Sequence, residues 1–345
     1  MIGVKSPTTL TKAQLDEAVR QREIELGIIK ERHNLYDYAP FERASLAPQA
    51  ETSATIKLYS GYFMPFPEGD GALRRDPYKN TPETDAYVSL YLAKTYNLKK
   101  GDRVSGTALR AECNRVRVMK KIRYVNEDTL KYPILRFEDI PTIVPSKRIR
   151  MSGNNALIGV IQDIVGLVCG QSLCIKGVDD NNETIGYSIA EVLNGLCTTF
   201  NGEVFAIIEN MPEKANAILS QIVNPETTIV NGDRKEYSML LELAKRVVER
   251  GENAVIVAYA PTVDLTWLTS QARATENASL TVIAVGQSLS SDAELTFSGE
   301  KILAQSIIRS KGVKTERENK VMKIIKNLCD GTPDELLSAF TEKNA

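Results

Sequence analysis

Gly177-Val-Asp-Asp-Asn-Asn-Glu-Thr184 lies between the apolar run Leu173-Cys174-Ile175 and a stretch of helical spacing from Ile185 to Leu196. A turn of this length between a strand and a helix has the placement of a phosphate-binding loop, whose pattern is G-x-x-x-x-G-K-[ST]. Gly177 and Thr184 match. Asn182 occupies the second glycine position, Glu183 the lysine position, and Ile185 follows. A lysine about 4 Å from a phosphate oxygen gains on the order of 4 kcal/mol at an effective dielectric near ~20, and a carboxylate costs a similar amount. Asp179 and Asp180 add more negative charge. The same residues also read as a polar turn: Asn182 or Thr184 suits an N-cap, and Glu183 suits a first helical turn. A degenerate nucleotide loop and an ordinary cap both remain open on these residues.

Around the turn, the chain from about residue 158 alternates apolar runs with helical segments. Strands are predicted at Ser172–Ile175, Val204–Ile208, Thr228–Val230, Val255–Tyr259 and Leu280–Val285. Residues 235–250 are amphipathic and end at Gly251, a C-cap residue. This alternation predicts a mostly parallel sheet with helices on both faces. A charged helix is expected over residues 315–337.

Upstream, residues 54–150 differ in character. Short runs at Ile56–Met64, Arg103–Leu109, Arg115–Val125 and Ile134–Phe137 are separated by Gly, Pro and Asn turns, the pattern of a small Greek-key barrel of the OB or cold-shock kind. Residues 94–150 carry 15 Lys+Arg against 6 Asp+Glu, although the whole chain is near neutral at −1. Such a basic block is the footprint of a polyanion-binding face or of a solvated charged surface. Tyr62, Phe63, Phe66, Tyr87, Tyr91 and Tyr96 are candidates for base stacking, with two or three expected at the surface. Residues 1–53 read as a helix over 8–33 followed by a linker.

Other chemistries find little support. At 345 residues the chain is long enough for two or three domains. His33 is the sole histidine and ends a charged segment, so a Ser-His-Asp site is not expected. Five cysteines without metal-ligand spacing read as free thiols. No apolar run reaches 18 residues and the N-terminus lacks a secretory core, so neither a membrane span nor secretion is expected.

Segments in order along the chain resemble the transcription termination factor Rho family. They are Glu68-Gly-Asp-Gly-Ala-Leu-Arg74, Asp85-Ala-Tyr-Val-Ser89, Tyr96-Asn-Leu-Lys-Lys-Gly-Asp-Arg-Val-Ser-Gly106, and the connector Arg136-Phe-Glu-Asp-Ile-Pro-Thr-Ile-Val-Pro-Ser-Lys-Arg-Ile-Arg150. Pro212-Glu213, Ala244–Arg250 and Ser279–Ala284 extend the similarity to roughly residues 54–320. The resemblance implies a helical N-terminal segment (1–53), an OB/cold-shock-like RNA-binding domain with connector (54–150), and a P-loop NTPase-like (RecA-like) domain (151–345). It implies a bacterial, cytoplasmic protein of transcription termination that binds single-stranded RNA. Further implied partners are Rho itself, RNA polymerase, or copies of the same chain.

Compared with that family, the catalytic parts are missing. Glu183 replaces the loop lysine. Asn210 and Met211 replace a catalytic carboxylate and a basic residue in Glu209-Asn-Met-Pro-Glu213, and Ala260 stands where the Walker B strand should end in Asp. Val168-Cys-Gly-Gln-Ser-Leu173 has lost both arginines of the preceding stretch, and the pore-loop regions near 267–272 and 290–311 look shortened. Phosphoryl transfer depends on positioning and charge stabilisation, so these losses together favour a chain with no hydrolysis and no catalytic residue. The alternatives are an active ATP-dependent RNA helicase and terminator that uses divergent residues, and a non-enzymatic subunit or regulator that docks on Rho or RNA polymerase. ATP and Mg²⁺ are the family's cofactors; none is expected here. At the RNA-binding turn, Asp70 and Ala72 replace two stacking aromatics, while Arg74, Asp85, Tyr87 and Arg115 remain. Tyr62, Phe63, Phe66, Arg75, Arg103 and Arg117 complete the expected RNA-binding set.

Overall fold

A computed structural model describes residues 55–81, 84–110, 117–126, 128–129, 135–178, 183–222, 224, 227–307 and 316–344. The expected helix over 8–33, the linker, His33, Cys113, Arg115, Ile134, Asp179, Asp180 and Asn182 lie outside the described residues. The chain divides into two compact units. The first holds residues up to Arg75, Asn80–Lys99 and Arg103–Val125; the second holds Asp76–Lys79, Lys100–Asp102 and Asn126 onward.

The first unit is a five-stranded barrel of β1 (Thr55–Pro65), β2 (Gly71–Arg74), β3 (Ala86–Val88), β4 (Arg103–Arg110) and β5 (Arg117–Val125), with a short helix α1 (Leu90–Thr95) between β3 and β4. Its order is β3-β2-β1-β4-β5, and a β3–β5 pairing closes it. Alternation along β1 sets the two faces: Tyr59 and Phe63 point inward, while Leu58, Ser60 and Tyr62 alternate outward. Leu73, Ala86, Val88, Val104, Ala108, Met119, Ile122 and Val125 complete the core. Two β-bulges distort the β4–β5 ladder, because Ser105 and Gly106 pair with Tyr124 and Ile122, and Thr107 and Ala108 pair with Lys121 and Met119. Arg123 and Lys120 are the extra residues. Gly106 sits between the bulges, where a Cβ would collide with the Lys121 carbonyl.

The second unit begins with short strands β6 (Asp128–Thr129) and β7 (Thr142–Ile143). A helical turn α2 (Ala156–Gly159) continues as a π-type segment through Val165. The main sheet contains β8 (Ser172–Lys176), β9 (Glu203–Ile208), β10 (Thr228–Val230), β11 (Ala254–Asp264), β13 (Ser279–Gln287) and β14 (Ala293–Ser298). Its order is β10-β9-β11-β13-β8-β14, and every one of these pairings is parallel. Antiparallel β12 (Arg273–Thr275) and β15 (Lys301–Ile302) flank it. β8 and β13 are buried along nearly their whole length, as parallel strands covered on both faces must be. The helices are α3 (Glu183–Thr199), α4 (Glu213–Ile222), α5 (Arg234–Glu249), α6 (Thr266–Thr269), α7 (Glu316–Lys326) and α8 (Pro333–Asn344). Ile189 and Leu193 of α3 join Leu173, Ile175, Val255 and Val257 in one core layer. The chain runs from β8 to β9 in one direction along the sheet and returns from β10 to β11, so right-handed crossovers place α3 and α5 on opposite faces. α5 starts with a capping box of Asp233 and Glu236, has Arg250 as its C-cap and is followed by left-handed Gly251 (φ +86°).

Two expected elements differ. Residues 135–137 form no strand: Arg136 and Phe137 instead direct their donors to α5. The Arg136 guanidinium grips Asp102 with two 3.0 Å hydrogen bonds and Glu249 with a third at 3.0 Å. Arg246 lies 3.3 Å from Glu249, and the Phe137 N–H donates to Glu249 at 2.7 Å. The tail is two helices rather than one, because Gly331 leaves the helix to pair with Ile302, and Pro333 opens α8. Among the described residues no helix is long and apolar enough to cross a membrane.

Candidate functional site

The outward face of the barrel gathers the expected RNA-binding residues through strand register. Tyr62 on β1 stands opposite Arg74 on β2 and Arg103 on β4, which makes an Arg74–Tyr62–Arg103 row across three strands. One step along, Met64 faces Ala72, which faces Tyr87. Tyr62, Arg74 and Tyr87 are half-buried and Arg103 is exposed. The row therefore offers a ring and cations to a ligand on the outside of the barrel.

Phe63 does not belong to this face. It is 1% exposed and packs in the barrel core, because alternation along β1 turns it inward from Tyr62. Phe66 is half-buried in the β1–β2 turn, where its N–H donates to the Asp70 carbonyl at 2.7 Å. Of the six aromatics considered, Tyr91 is fully at the surface and Tyr62, Phe66, Tyr87 and Tyr96 are half-buried. Arg75 is exposed and lies 5.5 Å over the Tyr59 ring, while Arg117 is half-buried on β5 beside Ala86.

The two acids here are structural in geometry. Asp85 is buried, accepts from the Thr81 hydroxyl and lies 3.9 Å from the Arg74 guanidinium. Burial pushes its carboxyl above the usual range, partly opposed by Thr81 and Arg74. Asp70, 1% exposed, accepts a 2.7 Å hydrogen bond from the Tyr87 hydroxyl. Asp70, which stands where the resembled family has an aromatic, anchors Tyr87. Nothing in residue spacing marks a pair 17 positions apart.

In the second unit the phosphate-loop position lies at the carboxyl end of β8, where open α/β sheets bind ligands. Gly177 has φ +75°, and a Cβ there would strike the Phe297 carbonyl. Glu183 is the first residue of α3, and its carboxylate pairs with Lys214 in the first turn of α4. Thr184 is not the N-cap: it lies inside α3, and its hydroxyl donates to Glu300 at 2.7 Å. Ile185 is buried.

The other positions singled out by the resemblance are engaged as follows. Asn210 adopts φ +48° and its N–H donates to Asn231 at 2.9 Å. Met211 packs against the core. Glu209 accepts a 2.6 Å hydrogen bond from Tyr237, whose hydroxyl is held well above its ordinary pKa by burial and by Glu209. Ala260 is fully buried on β11. Asp264, four residues on, spends its carboxylate on the Thr266 N–H and hydroxyl at 2.9 and 2.6 Å. At these positions the Glu183 carboxylate is paired with Lys214, the Thr184 hydroxyl is engaged by Glu300, and residue 260 carries only a buried methyl group.

Residues 59–131 match the family described as Rho termination factor, RNA-binding domain. The barrel is a Rho-type RNA-binding domain. The relationship to Rho implied by the ordered segments is thereby shown, and residues 59–131 carry it. No curated protein matches this chain in sequence. Similar solved structures include an ATPase from the type III secretion system of pathogenic bacteria, at 12% identity and TM-score 0.39, covering 66% of this chain and 92% of that one. Another is the ATP synthase subunit NeqB from Nanoarcheaum equitans, at 10% identity and TM-score 0.36, covering 54% and 62%.

Proposed function

We propose that this chain is a Rho-like single-stranded RNA-binding protein that acts in transcription termination or its regulation without hydrolysing ATP. The second unit is then a degenerate RecA-like domain that serves as scaffold. The observation that carries the reading is the pairing of a Rho-type RNA-binding domain with a phosphate-loop position closed by its own charges, Glu183 on Lys214 and Thr184 on Glu300. RNA would lie on the Arg74–Tyr62–Arg103 row, with Tyr87 held by Asp70. Cations there neutralise phosphates and the half-buried rings offer stacking surface worth roughly 1–3 kcal/mol per base. A Rho hexamer, RNA polymerase or further copies of this chain are the partners consistent with the reading.

Two measurements on the full chain test it. Filter binding of pyrimidine-rich RNA should show salt-dependent retention. Phosphate release from ATP with Mg²⁺ and RNA should stay at the no-protein background. RNA-stimulated hydrolysis abolished by Thr184→Ala would overturn the scaffold reading, and absence of RNA retention at low salt would overturn the RNA-binding one.

A further inference from the structure

Strands β1, β4 and β5 together contain seven Lys and Arg residues and no Asp or Glu. The cations are not confined to the row built on Tyr62. On β5, Lys120, Lys121 and Arg123 are all exposed, and Tyr124 is 42% exposed. In a regular strand successive side chains alternate between faces, so in phase with buried Ile122 both Lys120 and Tyr124 would point toward the core. The two bulges prevent this. Each inserts one residue, Lys120 or Arg123, into the β5 side of the ladder, so that both reach solvent beside Lys121.

Register ties this patch to the rest of the outer surface. Lys121 faces Thr107, which faces Leu58; Tyr124 faces Ser105, which faces Ser60; the next row is Arg103–Tyr62. Rows two residues apart are spaced by roughly 7 Å. Lys121, Tyr124, Arg103 and Tyr62 thus succeed one another along a strip of roughly 20 Å, alternating cation and ring. Leu58, 73% exposed, adds apolar surface at the far end. A stripe with no acidic residue, in which cations alternate with rings, matches a single-stranded polyanion with stackable bases.

We propose that the outward face of β4 and β5, where the bulges present Lys120 and Arg123 beside Lys121 and Tyr124, is a second single-stranded RNA contact continuous with the Tyr62 row. This rests on the RNA-binding reading above and extends it to a different set of residues. The strand leaving the β1–β2 side runs over β4 and across the bulges, so that a longer RNA is held than the β1–β2 site alone would hold. Lys120, Lys121 and Arg123 meet phosphates, and Tyr124 receives a base.

The test is a salt titration of RNA affinity for the full chain, comparing wild type with K120Q/K121Q/R123Q and with a control, K320Q/K323Q/K326Q, that removes three exposed cations of α7. Each phosphate contact contributes about 0.7 to the slope of log K against log salt for single strands, so loss of three lowers it by about 2. The expected result is that fall in the β5 variant with no change in the control. Tyr124→Ala should weaken binding about fivefold at every salt concentration. An unchanged slope in the β5 variant, or equal falls in both triples, overturns the proposal while leaving the RNA-binding reading standing. Wild type that retains no RNA overturns the RNA-binding reading instead. All the substituted cations are exposed, and a thermal melt matching wild type shows that the fold is retained.

Discussion

Arg136→Met removes the guanidinium that spans Asp102 and Glu249 inside the second unit. Arg136 is 4% exposed and its two carboxylate partners 0% and 1%, so the acids left behind cannot recover their hydration. Asp102 keeps the Asn126 amide at 2.8 Å and Arg246 at 3.7 Å, while Glu249 keeps the Phe137 N–H at 2.7 Å and Arg246 at 3.3 Å. Arg246, already shared with Glu242, then stands between the two buried carboxylates. Removing one partner of a buried pair costs about 3–5 kcal/mol, because the stranded charge stays desolvated. Trp267, the chain's sole tryptophan, lies in this unit on α6, so its fluorescence in a urea titration reports the right transition. The pH dependence follows from Glu249, whose carboxyl burial already raises above the usual range. An acid with a raised folded pKa binds its proton more readily in the native state, so its contribution to stability declines as pH rises through that pKa. Loss of Arg136 strengthens this effect. The deficit of the variant should therefore be largest at neutral pH and narrow as pH falls toward the ordinary glutamate range. A loss below about 1 kcal/mol at pH 7, or a deficit that grows on acidification, would refute the reasoning.

Tyr87→Phe takes the hydroxyl from Asp70 and leaves a buried carboxylate short of a donor; the barrel should lose about 1–3 kcal/mol in thermal or urea unfolding. Gly177→Ala forces φ +75° on a residue with a Cβ and drives it into the Phe297 carbonyl, so it should destabilise the second unit by at least about 1–3 kcal/mol, read by Trp267 fluorescence. Glu183→Lys restores a cation at the loop, yet phosphate release from ATP should remain at background because Asn210 and Ala260 are unchanged. Tyr62→Ala should weaken RNA binding by about 1–3 kcal/mol in filter binding with little change in melting temperature. Phe63→Ala should instead unfold the barrel, since its ring is core, at a cost of about 3–5 kcal/mol.

Much of the fold was legible from local chemistry. The parallel strands announce themselves as apolar runs, and α5 as an amphipathic stretch with an acidic cap and a terminal glycine. β2 and β3, of four and three residues, are too short to show a period, and the strand expected at 134–137 is apolar for another reason. Arg136-Phe137 is drawn to α5 by buried charge, which no window of neighbouring residues reveals. The helix over 8–33 lies outside the described residues.

The sequence by itself determined that the chain contains a small β-rich part and an α/β part. It also determined that the loop from Gly177 to Thr184 lacks the charge a phosphate needs, because residue type and order suffice for both. It could not assign faces. Tyr62 and Phe63 are adjacent aromatics, and the pleat of β1 sends one to the surface and the other to the core. Two bulges on β5 break its alternation, so that Lys120, Lys121, Arg123 and Tyr124 are all exposed, which no unbroken period of two would allow. Only the folded sheet brings Lys214 to Glu183 and Glu300 to Thr184, since those partners are 31 and 116 positions apart and meet through strand order rather than sequence.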